Sequence, residues 1–307
     1  MSVVILFNPV SGSGRALAAA ERLAQGLRAA GVEVRLLPTE RRAAHAWLTP
    51  ALAGARALVV AGGDGAVRMS AVEAARASVP LWHAPCGTEN LFARTFGMTS
   101  EPADVARALA VGRTAQVDLG RADDESFAIM ASVGFDAEVV HFLAARRTGA
   151  ISHLSYVRPI LELARSWRAN HLAWEIDGER EQLGHGMVVV GNMRAYGVRL
   201  NPAAEAVHDD GLLDAVFIPA HRAMDLLAWA PLLRLGLAHR LPDWVAAHGG
   251  GHRMRRGARI ELTADPAARL QLDGDPSSCS HDPGSSNAVV RRCFWAEPGA
   301  LRVLLPG

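Results

Sequence analysis

Three glycine-containing loops, each placed directly after a short apolar run, constrain the fold of this chain more than any other feature of its sequence. They are NPVSGSGR at residues 8–15, GGDGA at 62–66 and PCGTEN at 85–90. Continuous apolar runs that alternate with helical segments predict a parallel sheet covered by helices on both faces. Ligands of such sheets bind outside the carboxyl ends of the strands. The sequence therefore predicts a ligand site where the three loops meet.

The apolar runs and the segments between them predict the elements of this sheet. We predict strands at Val3–Phe7, Val32–Leu37, Ala57–Ala61 and Leu81–Ala84, and helices at Ala16–Ala30, from about Arg41 to Leu52, after the third strand and from about Asn90.

After about Val117 the pattern changes to short strand-like runs with polar or glycine breaks, which is typical of an antiparallel arrangement. Helical patterns at His153–Ala169 and Ala223–Ala238 interrupt these runs, and the stretch Asp275–Asn287 is rich in Ser, Pro and Gly, which predicts a loop. The predicted strands are Phe127–Val133, Leu172–Ile176, Met187–Val190, Leu213–Ile218, Arg259–Leu262, Leu270–Leu272 and the closing run Leu301–Leu305.

Charge and composition exclude several classes of protein. The 307 residues carry 32 basic and 31 acidic side chains, a net charge of +1, so no general attraction to nucleic acid is expected. The three cysteines do not have the spacing of a zinc site or a disulfide framework. The run Met1–Phe7 is too short for a signal peptide, and no stretch is long enough to span a bilayer. We expect a cytoplasmic protein whose contact with membranes, if any, comes from a local surface.

Each of the three loops has a chemical and a purely structural interpretation. Glycines near a helix start allow backbone N–H groups to approach a phosphate, but they also relieve steric crowding in a tight turn. Asp64 is placed to reach a Mg²⁺ ion on the phosphates or to cap the helix that follows it. Thr88 and Asn90 are likewise placed to donate to phosphate oxygens or to cap a helix. Because three such loops follow strands of one predicted parallel sheet, we favour phosphate binding.

The ordered set of motifs resembles the diacylglycerol kinase catalytic-domain family, which includes bacterial lipid kinases, sphingosine kinases and ceramide kinases. Beyond the three loops, the resemblance rests on Gly134–Ala137, Asn201–Ala204, Asp210–Asp214, Asp273–Asp275 and Pro298–Leu301, and it spans nearly the whole chain. It implies an α/β nucleotide-binding domain at residues 1–120, joined by a C-terminal return at 296–307. It also implies a mostly antiparallel, β-sandwich-like lipid-substrate domain at 121–295, with the active site in the cleft.

The resemblance implies ATP as the phosphoryl donor and Mg²⁺ as its counterion. The implied ATP-binding residues are Asn8, Ser11, Gly12, Arg15, Thr39, Gly62, Gly63, Asp64, Gly65, Thr88 and Asn90. Asp64 and Asp118 would belong to the network that holds the catalytic Mg²⁺. A second, structural Mg²⁺ would be bound by Asp210 and the carbonyls of Val207 and Leu212.

The general base implied by the resemblance is Asp275, which stands where the family has a glutamate. Asp273 is the second candidate, and its alternative interpretation is an Asp-Gly turn between strands. Two further residues depart from the family pattern: Ala66 replaces a usual hydroxyl residue, and Leu91 replaces an aspartate of many bacterial members.

The function implied is ATP-dependent phosphoryl transfer to a hydroxyl of a lipid, such as diacylglycerol or a sphingoid base, at a membrane surface. An NAD kinase-like enzyme and a catalytically weak nucleotide- or lipid-binding protein are the alternatives, and a homodimer is compatible with either. The Trp- and Arg-containing segment Met224–Val245 predicts either a membrane or acyl-chain contact or an ordinary packed helix. The pair His248 and His252 flanks three glycines, so a shared metal is not expected.

Overall fold

The computed structural model describes residues 1–146, 153–238, 251–278 and 289–307. The chain forms two compact units, one made of Met1–Leu119 with Gly299–Gly307 and the other of the described residues between Gly120 and Pro298. It leaves the first unit within the strand Thr114–Ala122 and returns within the strand Val290–Leu304. In these described ranges, no helix combines the length and the apolar character needed to cross a bilayer.

The first unit is built on a parallel sheet. Its strands are β1 Val3–Phe7, β2 Val34–Pro38, β3 Ala57–Gly62 and β4 Leu81–Pro85, in the order β2-β1-β3-β4. The end of the chain adds a further parallel strand beside β4, where Val303 lies opposite Leu81. All residues of β1 and β3 are buried, as expected for strands covered on both faces. The four strands predicted here are confirmed, and so is the α/β class of this part of the chain.

The helices of the first unit follow the strands in alternation. They are α1 Arg15–Ala29, α2 Leu48–Leu52, α3 Asp64–Arg76, α4 Leu91–Phe96 and α5 Pro102–Val111, with 3-10 turns at Ser11–Gly14 and Ala44–Ala46. The continuous helix predicted from Arg41 to Leu52 is wrong, because only the 3-10 turn and α2 form there. Pro50 explains the break, since a proline inside a helix lacks the N–H donor and clashes with the carbonyl of residue 46.

The second unit is mostly antiparallel. Its strands are β5 Thr114–Ala122 (from Gly120 onward), β6 Glu125–Phe127, β7 Met130–Val133, β8 Asn170–Ile176, β9 Glu179–Gly191, β10 Leu213–Pro219, β11 Arg253–Gly257, β12 Arg259–Ala264, β13 Leu270–Leu272, β14 Asp275–Pro276 and β15 Val290–Leu304 (as far as Pro298). The helices are α6 Phe135–Ala145, α7 His153–Ser166 and α8 Ala223–Arg234, and a 3-10 turn lies at Gly197–Arg199.

Alternate residues of the strands in the second unit form its hydrophobic core. Leu172, Trp174 and Ile176 of β8 contribute to this core, and so do Leu213 and Phe217 of β10. Successive side chains of a strand point to opposite faces of the sheet, so these alternate residues share one face. The pairs β8–β9, β9–β10, β10–β11, β8–β12 and β7–β9 are all antiparallel, so the predicted antiparallel character of this domain is confirmed.

Two predictions for the second unit need correction. The single strand predicted at Phe127–Val133 is divided into β6 and β7, because the N–H groups between them are bonded to the side chain of Asp273 instead of to a neighbouring strand. The loop predicted at Asp275–Asn287 begins with the short strand β14, and its residues 279–287 lie outside the described residues.

Candidate active site

The four parallel strands of the first unit end at the same level of the sheet. Phe7 lies opposite both Pro38 and Ala61, and Gly62 lies opposite Pro85. The residues that follow the strands therefore emerge at one edge, as the sequence predicts. These residues are Asn8, Thr39, Gly63 and Cys86.

The loops after β3 and β4 are in backbone contact. A Cβ atom added to Gly87 would lie 2.6 Å from the Cα of Gly63, and one added to Gly63 would lie 3.2 Å from the Cα of Gly87. Real Cβ atoms essentially never approach to the first distance, so Gly87 must be glycine. The structure thus brings two of the three glycine loops together.

Asp64 is the first residue of α3, but its carboxylate caps a different helix. Oδ2 accepts the N–H of Leu91 at 3.0 Å, and Oδ1 accepts the N–H of Phe92 at 3.0 Å, so the carboxylate binds the first turn of α4. The negative charge also suits the positive end of that helix. Each oxygen keeps a lone pair after one hydrogen bond, and Asp64 is only half-buried. The side chain therefore still fits the role of a Mg²⁺ ligand.

Asn90 fixes the shape of the loop after β4. Its Oδ1 accepts the N–H of Gly87 at 2.8 Å, and its Nδ2 donates to the carbonyl of Gly87 at 2.9 Å. Asn90 has a left-handed φ of 49°, a conformation that asparagine tolerates better than most residues. The side chain does not cap α4, because its amide is bonded within the loop, while the second N–H of Nδ2 stays compatible with the predicted donation to phosphate. Thr88 lies inside this loop and is half-buried.

The loop after β1 turns tightly into α1. Asn8 Oδ1 accepts the N–H of Val10 at 3.1 Å, and its carbonyl accepts the N–H of Ser11 at 3.1 Å. A 3-10 turn, which contains Gly12, then leads into α1 at Arg15. Thr39 lies beside this loop, since its N–H donates to the carbonyl of Phe7 at 2.9 Å.

Positive charge acts at this edge of the sheet. Burial raises the pKa of the Cys86 thiol, while the charges of Arg22 and Arg15 act to lower it. Both arginines belong to α1, and Arg15 is exposed. The guanidinium of Arg22 bonds to Ser100 and lies 3.7 Å from Glu101, which offsets its charge. Backbone donors near the guanidinium of Arg15 are an arrangement that suits a polyanion such as a triphosphate.

Asp118 is bound by the returning C-terminal part of the chain. It is 1 % exposed, and its Oδ1 accepts the N–H of Gly299 at 2.7 Å. Gly299 has a φ of 57° and lies against Gln116, where a Cβ would come within 2.6 Å of the amide oxygen. This explains the glycine of the motif at 298–301, and it makes the carboxylate of Asp118 an anchor for the returning chain.

In the second unit, Asp273 and Gly274 form the turn between β13 and β14. Their φ angles of 51° and 86° are those of a two-residue hairpin with a type I′ turn. The carboxylate of Asp273 accepts the N–H groups of Ala128 at 2.6 Å, Ile129 at 2.9 Å and Met130 at 2.8 Å. Of the two interpretations of Asp273, the turn is the one observed, and three backbone donors bind its carboxylate.

Asp275 stands at the start of β14, opposite Leu272. The residue is half-buried. Its position is set by the turn that precedes it, so the Asp273 carboxylate and the glycine at 274 determine where the candidate base lies.

A buried polar network, missed at the level of sequence, supports this turn. The Asp136 carboxylate accepts hydrogen bonds from the hydroxyls of Ser132 and Tyr196 and, at 3.3 Å, from Nε2 of Gln271. The Gln271 Oε1 in turn accepts the N–H of Gly274 at 2.9 Å. Burial raises the pKa of Asp136, and these donors act to lower it. The network joins the motif at 134–137 to the motif at 273–275, which the sequence shows only as separate patterns.

The proposed structural Mg²⁺ position contains a guanidinium group. The N–H of Leu212 donates to Asp210 Oδ1 at 3.1 Å, and Arg256 Nη1 lies 3.4 Å from Asp210 Oδ2. Arg256 also lies 3.3 Å from the carboxylate of Asp214. Arg256 thus supplies at Asp210 the positive charge expected from a metal, so Asp210 fits a bound cation less well than Asp64 does.

The segment Met224–Val245 is described only as far as residue 238. Its Trp229 packs within its own unit, since Nε1 donates to the carbonyl of Pro219 at 3.1 Å and the ring stacks on His252 at 5.7 Å. Met224 and Leu227 are exposed on α8. Trp244 and the candidate metal ligand His248 lie outside the described residues.

Comparison with known proteins gives matches along nearly the whole chain. Residues 2–122 match the family model of the diacylglycerol kinase catalytic domain, and residues 129–305 match that of the YegS C-terminal NAD kinase beta sandwich-like domain.

Individual relatives agree with these matches. A Mycobacterium tuberculosis protein named diacylglycerol kinase is 31 % identical over 99 % of this chain and 95 % of its own length. A YegS-like lipid kinase of Pseudomonas fluorescens is 31 % identical over 91 % of this chain and 88 % of its own. A crystal structure of a diacylglycerol kinase from Bacillus anthracis superimposes with a TM-score of 0.68 at 16 % identity, covering 99 % of this chain and 96 % of that one, and it supports the fold.

Proposed function

The chain belongs to the family of lipid kinases that includes the diacylglycerol kinases and the YegS-like enzymes, and from that membership we propose that it transfers the γ-phosphoryl group of ATP to a hydroxyl of a lipid. One structural observation carries the proposal. Four parallel strands end at one level, and the glycine loops after β3 and β4 touch through their backbones at Gly63 and Gly87. This arrangement places glycine backbone at the edge where ligands of such sheets bind, so a phosphate can approach the N–H groups there.

The first unit is the proposed nucleotide-binding part. The triphosphate would lie along the loops that contain Asn8, Gly12, Gly63 and Thr88, with Arg15 of α1 adding charge. Phosphoryl transfer asks the protein mainly for positioning and for neutralisation of charge on the phosphate oxygens. Glycine loops and guanidinium groups supply both.

Mg²⁺ is the proposed counterion of the phosphates. Asp64 would hold it, because each oxygen of its carboxylate keeps a lone pair beyond the bond to α4. When bound, the ion neutralises negative charge on the β- and γ-phosphate oxygens. Asp118 is the second carboxylate proposed for this network.

Asp275 is the proposed general base. A base must lie within hydrogen-bond reach of the hydroxyl whose proton it takes. Asp275 is one methylene shorter than the glutamate of the family pattern, so its reach depends on the backbone of the hairpin that carries it. That hairpin is held by the three bonds of Asp273 and by the bond from Gly274 to Gln271. Asp273 itself is proposed to position the base and not to act as one.

The proposed acceptor is a lipid alcohol, with diacylglycerol as the first candidate because a relative covering 99 % of this chain has the name diacylglycerol kinase. An NAD kinase-like activity is the second candidate, since the family model of the second domain is named for an NAD kinase beta sandwich. Ala66, Leu91 and Asp275 depart from the family pattern. The third candidate is therefore a nucleotide-binding protein with weak activity.

The test is transfer of labelled phosphate from ATP to a panel of lipids in mixed micelles, with NAD as a separate acceptor. Diacylglycerol, a sphingoid base and ceramide form the lipid arm. Labelled lipid supports the proposal, labelled NADP supports the second candidate, and binding of Mg-ATP with no labelled product supports the third.

The proposed base is tested in the same assay by Asp275→Asn. We expect kcat to fall by about 10²–10⁴-fold, the usual contribution of a general base. Asp177→Asn is the matched control, because Asp177 also stands next to a hairpin glycine of the second unit but is exposed. Equal rates for Asp275→Asn and the wild type would remove Asp275 from the role of base.

A further inference from the structure

A histidine in the sheet of the first unit has no counterpart in the motifs considered above. His83 lies in the middle of β4 and is 0 % exposed. Its Nδ1 accepts the N–H of Ala93 at 3.2 Å, and its Nε2 lies 3.0 Å from the carbonyl oxygen of Gly62. A neutral imidazole has one donor and one acceptor nitrogen. Since an N–H group can only donate, Nδ1 is the acceptor and Nε2 carries the hydrogen that bonds to Gly62.

The bond to Gly62 fixes one peptide group of the GGDG loop. The same carbonyl oxygen also accepts the N–H of Cys86 at 2.8 Å, so both of its lone pairs are used. In a trans peptide the N–H points away from the carbonyl. Because β3 lies between β1 and β4, holding the Gly62 carbonyl toward β4 turns the N–H of Gly63 to the β1 side, where the loop that begins at Asn8 follows β1.

The bond to Ala93 completes the cap of α4. The first three N–H groups of this helix donate to side chains from other elements, those of Leu91 and Phe92 to Asp64 and that of Ala93 to His83. His83 and Asp64 together thus bind α4 to the loop that precedes α3. A leucine or valine at position 83 would suit the apolar strand, but it would leave a buried donor and a buried acceptor without their present partner.

Because the two glycine loops are in close contact, their positions depend on the hydrogen bonds that the imidazole of His83 makes. Gly63 and Gly87 are already at the limit of backbone contact, so the loops have no room to move closer. The side chain of His83 bridges the strand that precedes one loop and the helix that follows the other.

We infer that His83 is a positioning residue of the nucleotide site: its two ring nitrogens hold the Gly62–Gly65 loop and the start of α4 in the arrangement that directs backbone N–H groups to phosphate. The inference rests on the proposed function. His83 does not touch the nucleotide; it acts through the peptide groups of Gly62 and Ala93. Its role is therefore in nucleotide affinity, which predicts a change in KM for Mg-ATP with kcat largely kept.

Three substitutions separate the two hydrogen bonds. In His83→Gln the amide nitrogen can take the place of Nε2 and keep the bond to Gly62. In His83→Asn the amide oxygen can take the place of Nδ1 and keep only the bond to Ala93. His83→Leu removes both. We expect KM for Mg-ATP to stay near the wild-type value in the Gln variant and to rise about tenfold or more in the Asn and Leu variants, the effect of one buried hydrogen bond.

Leu109→Ala in α5 is the matched control for lost stability, since Leu109 is buried in the same unit away from the glycine loops. Its Tm should fall without a change in KM. Titration calorimetry with Mg-ADP and steady-state kinetics give the two readouts, and thermal unfolding gives the third.

The outcomes distinguish this inference from the proposed function. If His83→Leu keeps the wild-type KM, the positioning role is refuted while the kinase assignment stands. If His83→Leu does not fold, the comparison of His83→Gln with His83→Asn tests the inference. A KM for Mg-ATP in the Gln variant equal to or above that of the Asn variant refutes the positioning role. A wild-type protein that does not bind Mg-ADP or Mg-ATP refutes the proposed function and the positioning role together.

Discussion

The carboxylate of Asp273 allows a quantitative test of how the second unit is held together. It accepts backbone N–H groups from Ala128, Ile129 and Met130 at 2.6, 2.9 and 2.8 Å, and the residue is 8 % exposed. Asp273→Asn keeps the size of the side chain, and asparagine tolerates the φ of 51° at this position. The substitution therefore removes the charge and one acceptor without changing the turn.

The expected loss follows from the number of bonds. One of the three N–H groups would face the NH₂ group of the amide and lose its acceptor, which costs about 1–3 kcal/mol at a buried site. The other two bonds would lose the charge assistance that makes such bonds roughly twice as strong as neutral ones. We expect the free energy of unfolding to fall by about 2–4 kcal/mol. At about 2–4 °C per kcal/mol, Tm would fall by about 4–16 °C.

Thermal unfolding followed by circular dichroism measures this change, with Asp177→Asn as the control. Asp177 has a φ of 49° and accepts the N–H groups of Ala258 at 3.1 Å and Arg259 at 2.9 Å, but it is exposed. Water replaces lost acceptors at an exposed site, so the control should lose less than about 1 kcal/mol. A fall in Tm no larger than that of the control would refute the structural role of Asp273. A loss of kcat at unchanged Tm would make Asp273 the base instead.

Three further predictions concern Cys86, Tyr196 and His83. Mg-ATP should slow the alkylation of Cys86 by iodoacetamide but not that of Cys293, as measured by mass spectrometry, because only Cys86 lies beside the proposed phosphate loops; equal protection would argue against that position for the nucleotide. Tyr196→Phe should lower the free energy of unfolding in urea by about 1–3 kcal/mol, because the buried Asp136 carboxylate loses a donor; a loss below about 0.5 kcal/mol would contradict this. Burial lowers the pKa of His83, whereas an unfolded histidine titrates near pH 6.5, so this residue contributes full stability above about pH 6.5 and progressively less below it. The stability of His83→Gln should therefore fall less steeply with acid than that of the wild type, and parallel curves would be the contrary result.

The parts of this fold that could be predicted are those set by local pattern. The continuous apolar runs predict the four parallel strands, and the glycines that follow three of them predict the loops. Each of these patterns spans only a few neighbouring residues, so it can be recognised without knowledge of the fold. The turn at Asp273 and Gly274 was likewise one of two stated interpretations, since Asp-Gly has a strong preference for a two-residue hairpin. The prediction of one helix from Arg41 to Leu52 is wrong for a local reason as well, because Pro50 prevents a continuous helix there.

The bonds that the sequence could not indicate join residues far apart in the chain. Asp64 bonds to Leu91, 27 residues away, and Asp273 bonds to Ala128, 145 residues away. Each carboxylate carried a chemical interpretation of its own, and only the fold reveals that backbone donors already bind it. A lone histidine within the apolar run of β4 was the available signal for His83, because a polar ring in a fully buried strand requires hydrogen-bond partners.

The residues that depart from the family pattern affect chemistry more than architecture. Leu91 is buried, and its N–H, like those of Phe92 and Ala93, is bound by a side chain from another element, so α4 needs no acid at position 91 to be capped. Ala66 likewise fills the space beside Gly62, where a Cβ would come within 2.8 Å of its methyl group. The glycine loops are thus held together without the missing acid or hydroxyl, while the negative charge available to a metal is reduced by one. Under the proposed assignment, nucleotide affinity depends on the glycine loops and the rate of transfer on Asp275, so we expect a variant to lose one of them while keeping the other.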